Sequence, residues 1–390
     1  MVFKTRWPLV WALIFAGVVG AFQIGKAPIA VPLLREDLGL SLSFAAWVVG
    51  IYAVVGAVAG LPIGLGIKYF GVRRAIVVGL LMIGVASCAG AAARGGLMLL
   101  VTRVFEGFGF IMIAIATPSL LRAITSIKDR DLVFGLWTVY YAVGSVIVML
   151  AGPWLAILGW QGIWLVTGLI ALGYALVMWA VAPDVSEADG SGGGALGDIG
   201  RLLRSPGPVV LALAFGLYTL QYHALTGLLP TLLVERLGLS IAQAGAISAA
   251  TIVANGIGAL SAAWLLRAGL PWWAMVAAAF AFFGVASFGI FAPTAPAATV
   301  ALLAAASLGI SGLVPALVYI AAPRLTPEPA LLALAIGAIV QTSHIGHLIG
   351  PAALGTWVEH FGWPSAPAVF AAIALAGIAM AVSLRGFFRP

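Results

Sequence analysis

The sequence predicts an all-α membrane protein of about twelve transmembrane helices in two pseudo-symmetric six-helix bundles. Three observations carry this. The 390 residues are 63% hydrophobic and only 8% charged, where a soluble globular chain carries roughly 25% charged residues. The apolar residues gather into twelve runs of spanning length. A nine-residue segment recurs, at constant offset, between the first six runs and the last six.

A large soluble core cannot explain the charge deficit, because solvated surface grows with size and needs polar cover. Lipid must cover the outside. The 49 glycines and 21 prolines sit inside apolar runs, as in membrane helices, where glycine lets backbones approach. The single cysteine, Cys88, excludes an internal disulfide framework. Lys4 and Arg6, followed by an apolar run to Ala21, have the pattern of a signal peptide. No mature soluble domain follows, so the segment reads as the first span.

A span needs about 20 apolar residues at about 1.5 Å rise each. Runs and breakers place spans near 8–33, 43–67, 74–93, 97–120, 132–155 and 162–182, then 208–233, 241–266, 271–291, 296–321, 329–354 and 364–384. Segment 183–207 holds Asp184, Glu187, Asp189 and a Ser-Gly-Gly-Gly run from Ser191, the composition of a flexible polar linker. The expected domains are therefore 1–182, a cytoplasmic linker 183–207, and 208–390.

Orientation follows from lysine and arginine, which concentrate on the cytoplasmic side. With the N-terminus inside, fourteen of the 19 fall inside: Lys4, Arg6, Lys68, Arg73, Arg74, Arg122, Lys128, Arg130, Arg201, Arg204, Arg267, Arg324, Arg385 and Arg389. Arg35, Arg94 and Arg236 fall outside, and Lys26 and Arg103 lie within spans. The net charge of +7 thus reflects topology, and no nucleic-acid surface is expected. Both termini are placed in the cytoplasm. The repeat pairs 33–41 (Leu-Leu-Arg-Glu-Asp-Leu-Gly-Leu-Ser) with 232–240 (Leu-Leu-Val-Glu-Arg-Leu-Gly-Leu-Ser), seven of nine positions agreeing at an offset of 199. Parallel six-helix halves of this kind mark one large transporter architecture.

Several motifs resemble the major facilitator superfamily. After span 2, Gly64-Leu65-Gly66-Ile67-Lys68-Tyr69-Phe70-Gly71-Val72-Arg73-Arg74 is similar to that family's cytoplasmic loop signature, with Lys68 where an acid is expected. Span 4 carries Arg103-Val104-Phe105-Glu106-Gly107-Phe108-Gly109, like the family's Arg-x-x-Gln-Gly-x-Gly with Glu106 in place of glutamine. Gly152-Pro153 followed by Gly159-Trp160, and Gly350-Pro351 followed by Gly362-Trp363, resemble its gate pairs. The resemblance covers essentially the whole chain and implies the major facilitator fold and alternating access. A finer likeness is to the cyanate and nitroimidazole transporter branch, on the stretch from Pro118 to Arg122, Phe134 to Trp137, and a span 1 cation at Lys26. It implies a small solute of anionic type.

Ionisable groups inside spans cost roughly 2.5–3.5 kcal/mol on insertion scales and are functional candidates. Here they are Lys26, Arg103, Glu106, His223, His344 and His347. Counting rise from the outer ends puts Lys26 at roughly 10 Å depth, Arg103 at roughly 9 Å and His223 at roughly 14 Å, with His344 at a similar level. Lys26, beside Gly25 and Pro28 and one turn from Gln23, reads either as a cation for an anionic substrate group or as a lysine snorkelling to the headgroups. Arg103 and Glu106, three apart, read either as a self-satisfied pair or as substrate ligand and proton exchanger. Were they paired, Lys26 would be the uncompensated charge. His344 and His347 share a face with Gln341 and read as packing residues, as substrate or proton ligands, or as metal ligands with His223. Gln221, Tyr222 and His223 are the favoured cavity residues of span 7. Most other aromatics, Trp137 and Tyr140 among them, read as packing. Gly56, Gly60 and Gly64 form a small-residue stripe for close approach of a helix, with span 11 the expected neighbour.

The sites expected are substrate ligands Lys26, Gln23, Arg103, Tyr222, His223, Gln341 and His344. Proton coupling falls to Glu106 and His347, and gating or packing to Gly64, Gly71, Arg73, Gly152, Pro153, Gly350 and Pro351. No cofactor and no resident metal are expected, and a monomer in the lipid bilayer is. No nucleotide-binding loop and no His-Glu-x-x-His motif occurs in the sequence, so a membrane protease and a pump are disfavoured. A transporter-like sensor is disfavoured too, because the linker is too short for an output domain. The leading function is secondary active transport of a small anionic solute, with protons as a candidate coupling ion. Efflux of a neutral or cationic organic compound is the alternative, and export of a transition metal a weaker one. Low lysine with abundant alanine and glycine suggests a bacterial inner membrane.

Overall fold

In a transmembrane chain every backbone polar group must find its partner within the segment, which leaves the helix as the solution for a run of apolar residues. The computed structural model describes residues 4–59, 70–184, 200–328 and 331–388. Among them the chain is helical and contains no β-strand. The helices are α1 Trp7–Leu38, α2 Leu42–Ala59, α3 Val72–Ala91, α4 Gly96–Ile124, α5 Arg130–Thr138, α6 Tyr140–Met149 and α7 Gly152–Val181. They continue with α8 Pro206–Thr231, α9 Ile241–Arg267, α10 Trp272–Ile290, α11 Ala297–Ser311, α12 Leu313–Leu325, α13 Leu332–Phe361 and α14 Ala366–Ser383. Ten helical stretches among the described residues are long and apolar enough to cross a membrane, counting α11 and α12 as one.

Two expected spans are subdivided. The span at 132–155 breaks at Val139, where the Val139 N–H reaches back only three residues to Leu136 O (3.4 Å). Trp137 there stacks on Tyr140 at 4.1 Å, so the tightened turn is held by its own rings. The span at 296–321 breaks at Gly312, where α9 crosses closely and a Cβ would enter the Asn255 carbonyl. In the other direction, α7 runs from Gly152 across a break at Gly159 (φ 67°, ψ 175°), a conformation open to glycine. Helix α13 continues through Gly350 and Pro351 to Phe361, past the expected end at 354. The repeated Leu-Gly-Leu-Ser has a conformational cause: Gly39 (φ 63°) and Gly238 (φ 67°) are both left-handed, the usual way to stop a helix.

Two compact units result. Unit 1 comprises Met1–Leu40, Trp47–Gly190 and Ser240–Ala249. Unit 2 comprises Ser41–Ala46, Ser191–Leu239 and Ala250–Pro390. In unit 1, α3 packs on α4 and α7, and α1 on α6. A Cβ on Gly79 would meet Gly109 O at 2.6 Å, so α3 and α4 touch backbone to backbone, the contact that small residues permit. Gly152 likewise lies against the start of α9, where a Cβ would stand 2.9 Å from Ala242 Cα. In unit 2 the main contacts join α8 to α13 and α10 to α14. Gly355 sits against Ala46, and Ser43 N–H donates to Glu359 Oε2 (2.7 Å). Gly60 and Gly64 of the small-residue stripe lie outside the described residues. Outside the spans, Thr5 and Ser126 hydroxyls both bond Asp129 Oδ2 and hold its carboxyl below the usual aspartate range.

Candidate solute and proton site

Unit 1 gathers its buried charges in one place. Helix α1 carries Lys26, fully buried. Gly25 beside it allows α1 to press on α6, where a Cβ would stand 2.5 Å from Ser145 O. From there Lys26 Nζ reaches inward, donating to Glu106 Oε1 (2.6 Å) and to Ser87 Oγ (2.6 Å). It also lies 4.6 Å from the centre of the Trp164 ring. Ser87 Oγ in turn donates a hydrogen bond to the Trp164 carbonyl (2.7 Å). Glu106 Oε2 accepts from Arg103 Nη1 (2.6 Å), the i, i+3 pairing expected on one helix face. Arg103 is fixed further by Gln23 O (2.8 Å) and Val48 O (3.1 Å), and its guanidinium lies 4.8 Å from the Tyr52 ring centre.

Two expectations are corrected here. Lys26 does not snorkel to the headgroups, since its ammonium points inward and shares a carboxylate. Nor is it left uncompensated when Arg103 and Glu106 pair, because the carboxylate's second oxygen is free for it. The reason is geometric: an i, i+3 partner on the same helix occupies one oxygen, and α1 faces the other. Formally the triad carries two positive charges and one negative, a net +1. Buried charge survives only where such short, charge-assisted bonds replace water. Tyr52, Ser87 and Trp164 complete the cluster. None stood out in the sequence, because single hydroxyls and aromatics inside apolar runs are ordinary packing residues.

In unit 2 the histidines of α8 and α13 come together. His223 of α8 stacks on His347 of α13, ring centres 3.7 Å apart and planes 5° from parallel. His344, placed by depth count level with His223, is near enough to interact with it electrostatically and holds its Nδ1 at Val340 O (2.9 Å). Tyr222 abuts His223 edge-on at 4.9 Å. Asn255 Nδ2 donates to Leu308 O (2.8 Å) and to the Tyr218 hydroxyl (3.1 Å). Gln341 is exposed and Gln221 fully buried. Among the described residues no group of three His, Cys, Asp or Glu is placed to hold a metal.

The remaining motif residues are spread more widely. Gly71 (φ 92°) precedes α3, and Arg73 binds Asp184 Oδ2 (3.1 Å) and the Trp179 carbonyl. Its acid thus comes from beyond α7. Gly64 and Lys68, where the family signature expects an acid, lie outside the described residues. Gly350 packs on Leu220 and Ala224 of α8, and Pro351 is buried in α13. The Pro153 side chain lies outside the described residues.

The model of the Major Facilitator Superfamily matches residues 13–329. The chain belongs to the Major Facilitator Superfamily. The family is one of transporters, and the apolar helices of this chain are those of a multi-pass membrane protein. The methylenomycin A resistance protein of Bacillus subtilis is 28% identical over 249 residues, covering 58% of this chain and 53% of that protein. The methyl viologen resistance protein SmvA of Salmonella typhimurium is 30% identical over 141 residues, covering 36% and 28% respectively. An uncharacterised MFS-type transporter of Mycobacterium tuberculosis is 29% identical over 185 residues, covering 45% and 31%. The chain spans about half or less of the length of these curated relatives. Among solved structures, a bacterial homologue of the human lysosomal transporter Spinster superposes with a TM-score of 0.78, at 16% identity over 97% of this chain and 94% of that one. The nucleoside transporter NupG does so with a TM-score of 0.78, at 13% identity over 98% and 100%. At these identities the likeness is one of fold: the major facilitator fold is shared.

Proposed function

We propose that this major facilitator protein moves a small anionic solute by alternating access, coupled to protons through the Lys26–Glu106–Arg103 triad. The observation that carries the reading is the sharing of one buried carboxylate by two buried cations. Protonating Glu106 would raise the buried charge from +1 to +2, and one monovalent anion beside Lys26 or Arg103 would restore +1. A proton and an anion thus enter together at constant buried charge, which avoids the desolvation cost of either alone. The partial likeness to the cyanate and nitroimidazole branch favours the same solute size. In this reading His347 with His223 is a second protonatable pair, and Gly152 with Pro153 and Gly350 with Pro351 flank the moving parts. The halves are 1–182 and 208–390, and the protein works as a monomer in a bacterial inner membrane with both termini in the cytoplasm.

Proteoliposome flux tests it. Uptake of a radiolabelled small carboxylate should saturate and accelerate with an imposed proton gradient. Lys26→Met should abolish it, and Glu106→Gln should leave exchange that no longer responds to the gradient. Saturable, gradient-driven anion flux that survives Lys26→Met sinks the proposal.

A second reading, export of a neutral or cationic organic compound, is favoured by the resistance proteins among the relatives. There Glu106 is the deciding charge: a cation can enter at constant charge only as a proton leaves. Methyl viologen extrusion from inverted vesicles, lost in Glu106→Gln and kept in Lys26→Met, would select it.

A further inference from the structure

We propose that Gln23 is a solute-recognition residue, and that the transported solute is an acid that also bears an amide-type group. The inference rests on the anion reading above and narrows its substrate class. Gln23 is fully buried, and neither its side-chain Oε1 nor its Nε2 has a hydrogen-bond partner among the described residues. A buried amide left unpaired is destabilising, because it has surrendered water for nothing. Its backbone, by contrast, is engaged, with Gln23 O accepting Arg103 Nη1 at 2.8 Å. The position is therefore fixed at the triad while the amide is held unsatisfied. Close by, Trp164, whose ring lies under Lys26 Nζ, has an indole N–H that is buried and likewise unpartnered.

A primary amide presents one acceptor and one donor side by side. The group that satisfies both at once offers a donor and an acceptor in the same arrangement: a carboxamide, a lactam, an imide or a urea. Gln23 precedes Lys26 by three residues, so the two side chains emerge from one face of α1 roughly 5–6 Å apart. The solute that fits both carries an anionic group and an amide-type group separated by about one helical turn. In unit 2, Gln221 of α8 shows the same signature, fully buried with both amide atoms unpartnered among the described residues.

The test uses the purified full chain and three probes of matched length: pentanoate, glutaramate and neutral glutaramide. Each is titrated by ligand-induced thermal shift and by competition for flux. Wild type should prefer glutaramate to pentanoate by about tenfold or more, since a site built to hydrogen-bond rejects the analogue lacking the group. In Gln23→Leu that ratio should fall to near one while pentanoate affinity stays within about twofold. Equal affinity of wild type for glutaramate and pentanoate overturns the proposal, as does an unchanged ratio in Gln23→Leu. The wild-type comparison decides alone if the variant does not fold. Should no carboxylate bind while glutaramide binds through Gln23, the anion reading falls and the amide site stands. Should pentanoate bind through Lys26 with no gain from the amide, the reverse holds.

Discussion

Replacing Glu106 by glutamine removes the acid that two buried cations share. Each N···O separation is 2.6 Å, and unit charges at that distance attract by about 6 kcal/mol at an effective dielectric near 20. Much of this is offset by the water both ions gave up, so breaking a buried pair costs about 3–5 kcal/mol. At roughly 2.1 cal/mol/K of unfolding entropy per residue, a chain of 390 residues loses about 4–6 °C in melting temperature. Lys26→Met is the informative companion. It leaves a neutral Arg103–Glu106 pair with a flexible apolar chain in place of the ammonium, and should cost about 1 kcal/mol or less. Combining the two leaves a single cation, so Glu106→Gln/Lys26→Met should melt above Glu106→Gln alone. That is the non-additivity shown by groups in contact or in one salt-bridge network. The assay is thermal unfolding of the purified variants in one detergent, followed by intrinsic fluorescence. Glu106→Gln melting within about 1 °C of wild type, or a double variant melting below Glu106→Gln alone, would refute the shared carboxylate.

Three further outcomes follow from the packing and the loops. Gly107→Ala should destabilise by about 1–3 kcal/mol, despite alanine's better helix propensity, because its Cβ would enter the Tyr52 carbonyl; the same melting assay reads it. His347→Phe, which keeps a flat ring over His223, should cost about 1 kcal/mol, whereas His347→Ala uncovers that face and should cost about 2–3 kcal/mol. Asp129, held low by Thr5 and Ser126, contributes its tie above its unfolded value of about 3.9, and the contribution disappears as pH falls through the lower folded value. Hydrogen exchange at the start of α1 should therefore rise only at pH below the ordinary aspartate range, and Asp129→Asn should show the raised exchange at every pH.

The bilayer makes one dimension of such a protein legible. It demands runs of about 20 apolar residues and makes every buried charge costly, so Lys26, Arg103 and Glu106 are conspicuous in the sequence, and counting 1.5 Å per residue puts them at one height. Rotation about the helix axis is what the count lacks. His344 and His347 share a face, yet it is the His347 ring that stacks on His223. The cause lies between them, at Gly346. A Cβ there would stand 2.6 Å from Gly216 O and 2.7 Å from Leu220 N, so α8 and α13 press backbone to backbone at that residue and the next side chain along lies on α8. The same reasoning explains why Ser87, Tyr52 and Trp164 were invisible: their types are common in apolar runs, and their roles come from the facing helices. Gln23 shows the remaining case. Its residue type was visible and its height was right, but only the surrounding packing reveals that its backbone is anchored to Arg103 while its amide is left unpaired, which is the difference between a polar residue tolerated in a span and one that awaits a partner.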